Sequence, residues 1–171
     1  ILFYSTNDPG GRVDFQTALL AGMASRYGLY MIDRRDIPVI PRERIDALKG
    51  KTYAQIACEV LEPFLVREIP PATLRELLSD AYDAEKIPTV VQHVTGKTYI
   101  MWLTRGPTYS FKDYAARFFG RVLNYFLGER GLRRVVIVAT SGDTGGAVAD
   151  ALLGLDNIDN IVFYPKGSIS E

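Results

Sequence analysis

Apolar residues recur at helical spacing through the first half of this chain and cluster in strand-like runs through the second. Phe15, Leu19, Gly22 and Met23 share one face of a helix predicted over 15–27, and Asp14 stands where its N-cap belongs. Tyr53, Ile56, Ala57 and Val60 repeat the spacing over 51–65, where Pro63 is expected to end or bend the helix. Residues 70–85 carry the pattern again behind leading prolines, which the first turn of a helix tolerates. Between these helices, "ILFYST" alternates weakly as a strand does, "NDPGG" reads as a turn, and "GLYMI" reads as a second short strand.

From Ile87 and Pro88 onward the pattern changes. "IPTVVQHV" and "KTYIMWL" are β-branched and aromatic, as strands are. A helix follows over 111–127, and then "RRVVIVA", an apolar run of the kind that parallel sheets bury on both faces. "TSGDTGGAVADALLG" is a loop opening into a helix, and "NIVFYP" is another buried-type strand. Strand, helix, strand in this order is a βαβ unit, so the fold class is α/β. A mainly helical region over 1–87 precedes the start of that α/β fold over 88–171. Because the chain stops at "YPKGSISE", directly after a strand, it is expected to be the front part of a longer protein.

Composition narrows the function classes. Lys plus Arg and Asp plus Glu are equal at 20 each, a balance with no field for nucleic acid or an anionic membrane. No run approaches the ~18 apolar residues of a membrane span. The N-terminus lacks the basic start and long apolar middle of a signal peptide, so the expected location is the cytoplasm. Cys58 is the single cysteine and His93 the single histidine, which excludes an internal disulfide and speaks against a His/Cys zinc site. Two Gly-Lys-Thr triplets, at 50–52 and 96–98, lack the glycine a phosphate-binding loop needs six residues earlier, where Ile45 and Val91 stand; both read as turns.

Two segments carry candidate chemistry. In "RGPTYSFKDYAARFFGRVLNYF" a Gly-Pro turn leads into an amphipathic helix with Lys112 at its start. The first turn of a helix carries partial positive charge, so a lysine there is misplaced while Asp113 suits it. Apolar Phe111, Phe118 and Phe119 nearby are expected to lower the lysine's pKa further, and a neutral amine is what Schiff-base chemistry requires. The bland alternative is a surface lysine. In "TSGDTGG", Thr140 to Gly146, the glycines allow close approach to backbone N–H groups, and Ser141 and Thr144 add hydroxyls. Such a nest binds a carboxylate or phosphate. Asp143 fits only by facing another part of the ligand, and an ordinary capped loop is the alternative.

With these segments quoted, the chain resembles the threonine synthases, pyridoxal-phosphate (PLP) enzymes of the tryptophan-synthase-β fold group. "GPTYSFKDYAARFFG" resembles the family's lysine segment, "ATSGDTGGAV" its Thr-Ser-Gly-Asp-Thr-Gly loop, and "YPKGSIS" its Tyr-Pro-(Lys/Arg)-Gly-x-Ile-Ser stretch. "DFQTALLAGMASRYGLYMIDRRDIP" resembles its N-terminal helix and Gly-Leu-Tyr segment. The resemblance implies conversion of O-phosphohomoserine and water into threonine and phosphate. It implies that Lys112 holds PLP and then moves protons. Ser141, Gly142, Asp143, Thr144 and Gly145 would form the substrate-carboxylate loop, with Asp143 near the cofactor's phenolic oxygen. Phe111 and Asp113 would position the lysine, and Lys166 and Ser168 would approach the substrate phosphate.

The chain departs from the family at Thr104 and Arg105, where Phe-His is usual. It also stops before the glycine-rich loop that holds the PLP phosphate, so the chain alone is expected to be inactive. Three other readings stay open: a related phospholyase that eliminates phosphate to a keto acid, a non-catalytic paralogue acting as a binding module, and a generic anion-binding α/β domain.

Overall fold

Strand β1 (Phe3–Ser5) lies between β2 (Asp8–Val13) and β3 (Tyr30–Ile32) in a three-stranded antiparallel sheet, with Phe3, Tyr4 and Ser5 facing Ile32, Met31 and Tyr30. The computed structural model describes residues 1–140 and 142–167. Its chain divides into two compact units, Ile1–Glu76 and Leu77–Glu171. The turn expected at "NDPGG" falls instead on Thr6 and Asn7, and Asp8–Val13 is extended. Pro9 fits there because β2 is an edge strand, where a missing N–H costs no ladder bond.

Helix α1 (Phe15–Ala21) starts as expected, Asp14 Oδ1 accepting from the Thr17 N–H at 2.8 Å. A second carboxylate reaches the same end from far along the chain: Glu68 accepts from the Phe15 N–H at 3.1 Å and the Gln16 N–H at 2.6 Å. Two anions at one helix start complement its dipole. The helix is shorter than the apolar spacing suggests because Gly22 takes a left-handed conformation (φ 72°) and closes it. A short helix α2 (Arg42–Asp46) precedes α3 (Tyr53–Leu65), which opens with a reciprocal Thr52–Gln55 capping box and runs two residues past Pro63. Cys58 is buried on α3, and burial pushes its thiol pKa up. Helix α4 (Pro71–Ala81) follows, with Leu74, Leu78 and Ala81 fully buried along one face.

In the second unit, β4 (Val90–Thr95) and β5 (Thr98–Trp102) form an antiparallel hairpin turned at Gly96, whose φ of 53° favours glycine. Helix α5 (Lys112–Glu129) buries Val122, Phe126 and Leu127. Strand β6 (Arg134–Ala139) and strand β7 (Ile158–Phe163) then pair in parallel, Arg134 opposite Ile158 through Ala139 opposite Phe163, with α6 (Asp143–Leu152) as the crossover. This is the expected βαβ unit. Within this chain the strand pair is covered on one face. α6 packs along β6 and β7, while Val135, Ile137, Ile161 and Phe163 are exposed in alternation with half-buried neighbours.

Helices α5 and α6 approach closely at Gly120, where a Cβ would stand 2.9 Å from Leu152 Cδ2 and 3.1 Å from the Ala151 carbonyl oxygen. Among the described residues, no helix is long and apolar enough to cross a membrane, and no cluster of His, Cys, Asp or Glu could hold a metal ion.

Candidate functional site

The lysine segment is built around a buried carboxylate. Asp113 is 1% exposed, and both its oxygens are engaged: Oδ2 accepts from the Thr108 N–H at 3.1 Å, and Oδ1 accepts from the Thr108 hydroxyl. Ser110, also buried, supplies the cap that Phe111 lacks; its Oγ accepts from the Lys112 N–H and its carbonyl from the Asp113 N–H. The turn preceding α5 is thus folded onto the first turn of the helix. Gly106 is required in that turn, since a Cβ there would sit 2.4 Å from Asp113 Oδ2. Tyr109 takes a left-handed conformation (φ 59°), and its N–H donates to the Gly106 carbonyl at 3.1 Å.

The misplaced charge at the start of α5 is met in two ways. Asp113 occupies the first turn, where an anion belongs. Lys112 Nζ lies 4.5 Å from the centroid of the exposed Phe111 ring, so its head rests on an aromatic face.

The second segment is organised by Thr140, the residue after β6. Its Oγ1 accepts from the Gly142 N–H at 3.1 Å and the Gly145 N–H at 3.3 Å, while the Gly146 N–H donates to the Gly142 carbonyl. Three of the donors that the glycine-rich pattern offers to an anion are therefore held within the loop. Gly145 is needed for this closure: a Cβ would lie 2.2 Å from Thr140 Cγ2 and 3.0 Å from Val162 Cγ1. Gly145→Ala is expected to destabilise the second unit by about 1–3 kcal/mol, the usual range for overpacking, read as a lower urea midpoint. Gly142 and Gly146 differ. No described atom lies within 4 Å of a Cβ built on either, so their backbone is open to an incoming group.

The two segments meet at one cleft of about 340 Å³, past the C-terminal ends of β6 and β7, lined by Thr108, Thr140, Gly142, Asp143, Gly146 and Tyr164 among others. Ligands of parallel α/β sheets bind at this end of the strands. The cleft brings Asp143, Gly142 and Gly145 together with the turn that precedes the lysine. Thr144 is exposed in the first turn of α6, and Lys166 is exposed beyond β7. Ser141 and Ser168 lie outside the described residues. Thr108 and Thr140 are cleft residues that lie within the quoted motifs but to which the sequence patterns assign no role. The only signal for them is position, each hydroxyl standing at the edge of a motif.

The Thr108 turn and the glycine-rich strand-to-helix loop thus meet at a cleft at the strand ends of an α/β unit, and Lys112 and Phe111 are not among the residues that line it. Over its whole length, the chain is similar to the N-terminal portion of the threonine synthases. The family described as "Threonine synthase N terminus" matches residues 2–82. The threonine synthase of Pseudomonas aeruginosa is 33% identical over 99% of this chain and 36% of its own length, and that of Escherichia coli 32% identical over 98% and 37%. Among solved structures, the PLP-bound threonine synthase from Brucella melitensis superposes with a TM-score of 0.91 at 36% identity, covering 99% of this chain and 36% of that one. The yeast threonine synthase gives a TM-score of 0.87 at 28% identity. The chain spans about a third of the length of the relatives it matches.

Proposed function

We propose that this chain carries the lysine and the substrate-carboxylate loop of a PLP-dependent threonine synthase, a lyase of threonine biosynthesis that converts O-phosphohomoserine and water into threonine and phosphate. The observation that carries the reading is the single cleft joining the Thr108 turn, which leads to Lys112, to the 140–146 loop. Whole-length similarity to threonine synthases supports it. The space beside Gly142 and Gly146 fits a flat ligand, since no described atom lies within 4 Å of a Cβ built on either.

In this reading PLP, when bound, supplies the electron sink for carbanion chemistry. Lys112 holds the cofactor and afterwards moves protons as base and acid at its Nζ. Ser141, Gly142, Thr144 and Gly145 would hold the substrate carboxylate at the start of α6, the Gly142 and Gly145 N–H groups exchanging their bonds to Thr140 Oγ1 for bonds to the ligand. Asp143 would lie near the cofactor's phenolic oxygen, and Phe111 would support the lysine through the contact of its ring with Nζ. Lys166 and Ser168 approach the substrate phosphate. Residues 1–87 act as a docking domain without chemistry of their own, and 88–171 form the first part of the PLP-binding domain. The expected location is the cytoplasm.

The test joins this chain to the remaining two thirds of the Pseudomonas relative and supplies PLP and O-phosphohomoserine. Threonine and phosphate in equal amounts are expected, and the chain alone is expected to release neither. A keto acid with phosphate would assign a phospholyase instead, and no phosphate release from a folded chimera would leave a binding module.

A further inference from the structure

We infer that Thr108 and Asp113 form a positioning pair: a buried clasp that fixes the lysine helix and the cleft wall to each other. Asp113 follows the lysine directly, and its carboxylate is almost wholly withdrawn from water. A buried carboxylate is costly unless its lone pairs are occupied, and here one residue, Thr108, engages both oxygens through its backbone N–H and its hydroxyl. Thr108 is at the same time a wall of the cleft that contains Asp143 and Gly142. The clasp therefore ties the first turn of α5 to a wall of that cleft. Gly106 belongs to it by exclusion, since its missing side chain leaves the volume that the carboxylate fills.

The arrangement has a directional consequence. The bonds from Thr108 hold the 106–110 turn down, Ser110 caps the helix from that turn, and Phe111, its last link, carries the Lys112 head on its ring. A turn released from Asp113 frees Ser110 and Phe111 together, and the amine loses its fixed place. Asp113 and Thr108 touch no reacting atom in this scheme; they act through the backbone that presents Lys112.

The inference deepens the PLP reading and rests on it for its relevance to catalysis, but its geometry can be tested without the cofactor. The full chain and its Thr108→Ser, Thr108→Val and Asp113→Asn variants are treated with an acetylating N-hydroxysuccinimide ester. Modification is mapped by peptide mass spectrometry, with exposed Lys97 as the internal reference. All reactions run well below each variant's melting temperature. Thr108→Val keeps the shape and removes the hydroxyl donor; Thr108→Ser restores the donor. The expected result is a Lys112-to-Lys97 ratio at least threefold higher in Thr108→Val and Asp113→Asn, and a near-normal ratio in Thr108→Ser. A ratio unchanged in Thr108→Val, or shifted as much by Thr108→Ser, would overturn the inference even if stability falls, because a merely structural bond moves the melting temperature alone. Should Asp113→Asn not fold, the Thr108 pair decides. A parallel treatment of the unmodified chain with PLP and borohydride reports on the underlying reading separately. Trapping without preference for Lys112 would count against the PLP assignment and leave the clasp to be judged by acetylation.

Discussion

Replacing Lys112 by alanine is expected to abolish the saturable part of the visible absorption that PLP develops when it is added to this chain. Among the described residues of the 106–113 turn and the 140–146 loop, Lys112 carries the one amine able to bond covalently to an aldehyde carbon, so no neighbour there substitutes for it. The other lysines, Lys49, Lys51, Lys86, Lys97 and Lys166, are all exposed at the surface, and adducts there should be weak and unsaturable. A titration that saturates for the natural chain and rises linearly without saturation for Lys112→Ala is the expected pair of results.

Lys112→Arg sharpens the test. It keeps a cation over the Phe111 ring, worth about 0.5–1 kcal/mol at an accessible site, yet offers no usable nucleophile at neutral pH. Loss of the saturable absorption in both variants with unchanged melting temperature would assign the effect to chemistry and not to folding. Identical spectra from all three proteins would remove Lys112 from its assigned role. An absence of absorption from the natural chain would mean that the lysine needs elements from the remaining two thirds of the threonine synthase length before it binds PLP.

How far the site could be read beforehand depends on the range of the interactions involved. Lys112 and the Thr140–Gly146 loop are visible in sequence because their signals are local: a charge at the wrong end of a helix, and glycines between a strand and a helix. The same holds for the Asp14 cap and the Thr52 capping box. Thr108 is invisible by those rules, since its importance comes from a carboxylate five residues away and from a cleft closed by a loop more than thirty residues on. Pro9 misled the reading of 7–11 because a proline signals a turn unless the strand is an edge, and edge position is a property of the sheet. The apolar runs of β6 and β7 identify strands correctly but are silent on what covers each face. Glu68 at the start of α1 lies more than fifty residues from its partners, beyond any local pattern.

Arg117 presents the largest such gap and the largest expected loss of stability. It sits mid-helix on α5, 4% exposed, where a pattern of polar and apolar positions alone would expect a hydrophobic residue. Its Nε donates to the Ala81 carbonyl at 2.8 Å and a terminal nitrogen to the Asp80 carbonyl at 3.5 Å, two of the unpaired acceptors at the end of α4. Its other terminal nitrogen donates to Asp150 on α6 at 3.2 Å. One turn later Arg121 repeats the device, bonding Asp80 Oδ2 and the Ala151 carbonyl near the end of α6. The guanidinium suits both places because one flat group can satisfy acceptors from several directions, and a cation complements a helix C-terminus. Arg117→Ala removes these bonds and the packed stem at once, leaving buried carbonyls unpaired and a cavity beneath them. A loss of about 3–5 kcal/mol is expected, the range for breaking one side of a buried ion pair. Arg117→Met should recover part of it by refilling the stem volume, and Asp150→Ala should cost less than either. Asp150 is one-third exposed, and the carbonyl partners of the arginine survive its removal. Urea melts followed by helical circular dichroism rank the three. Were Asp150→Ala the most damaging, the ion pair and not the capping of α4 would be what holds α5 against α6.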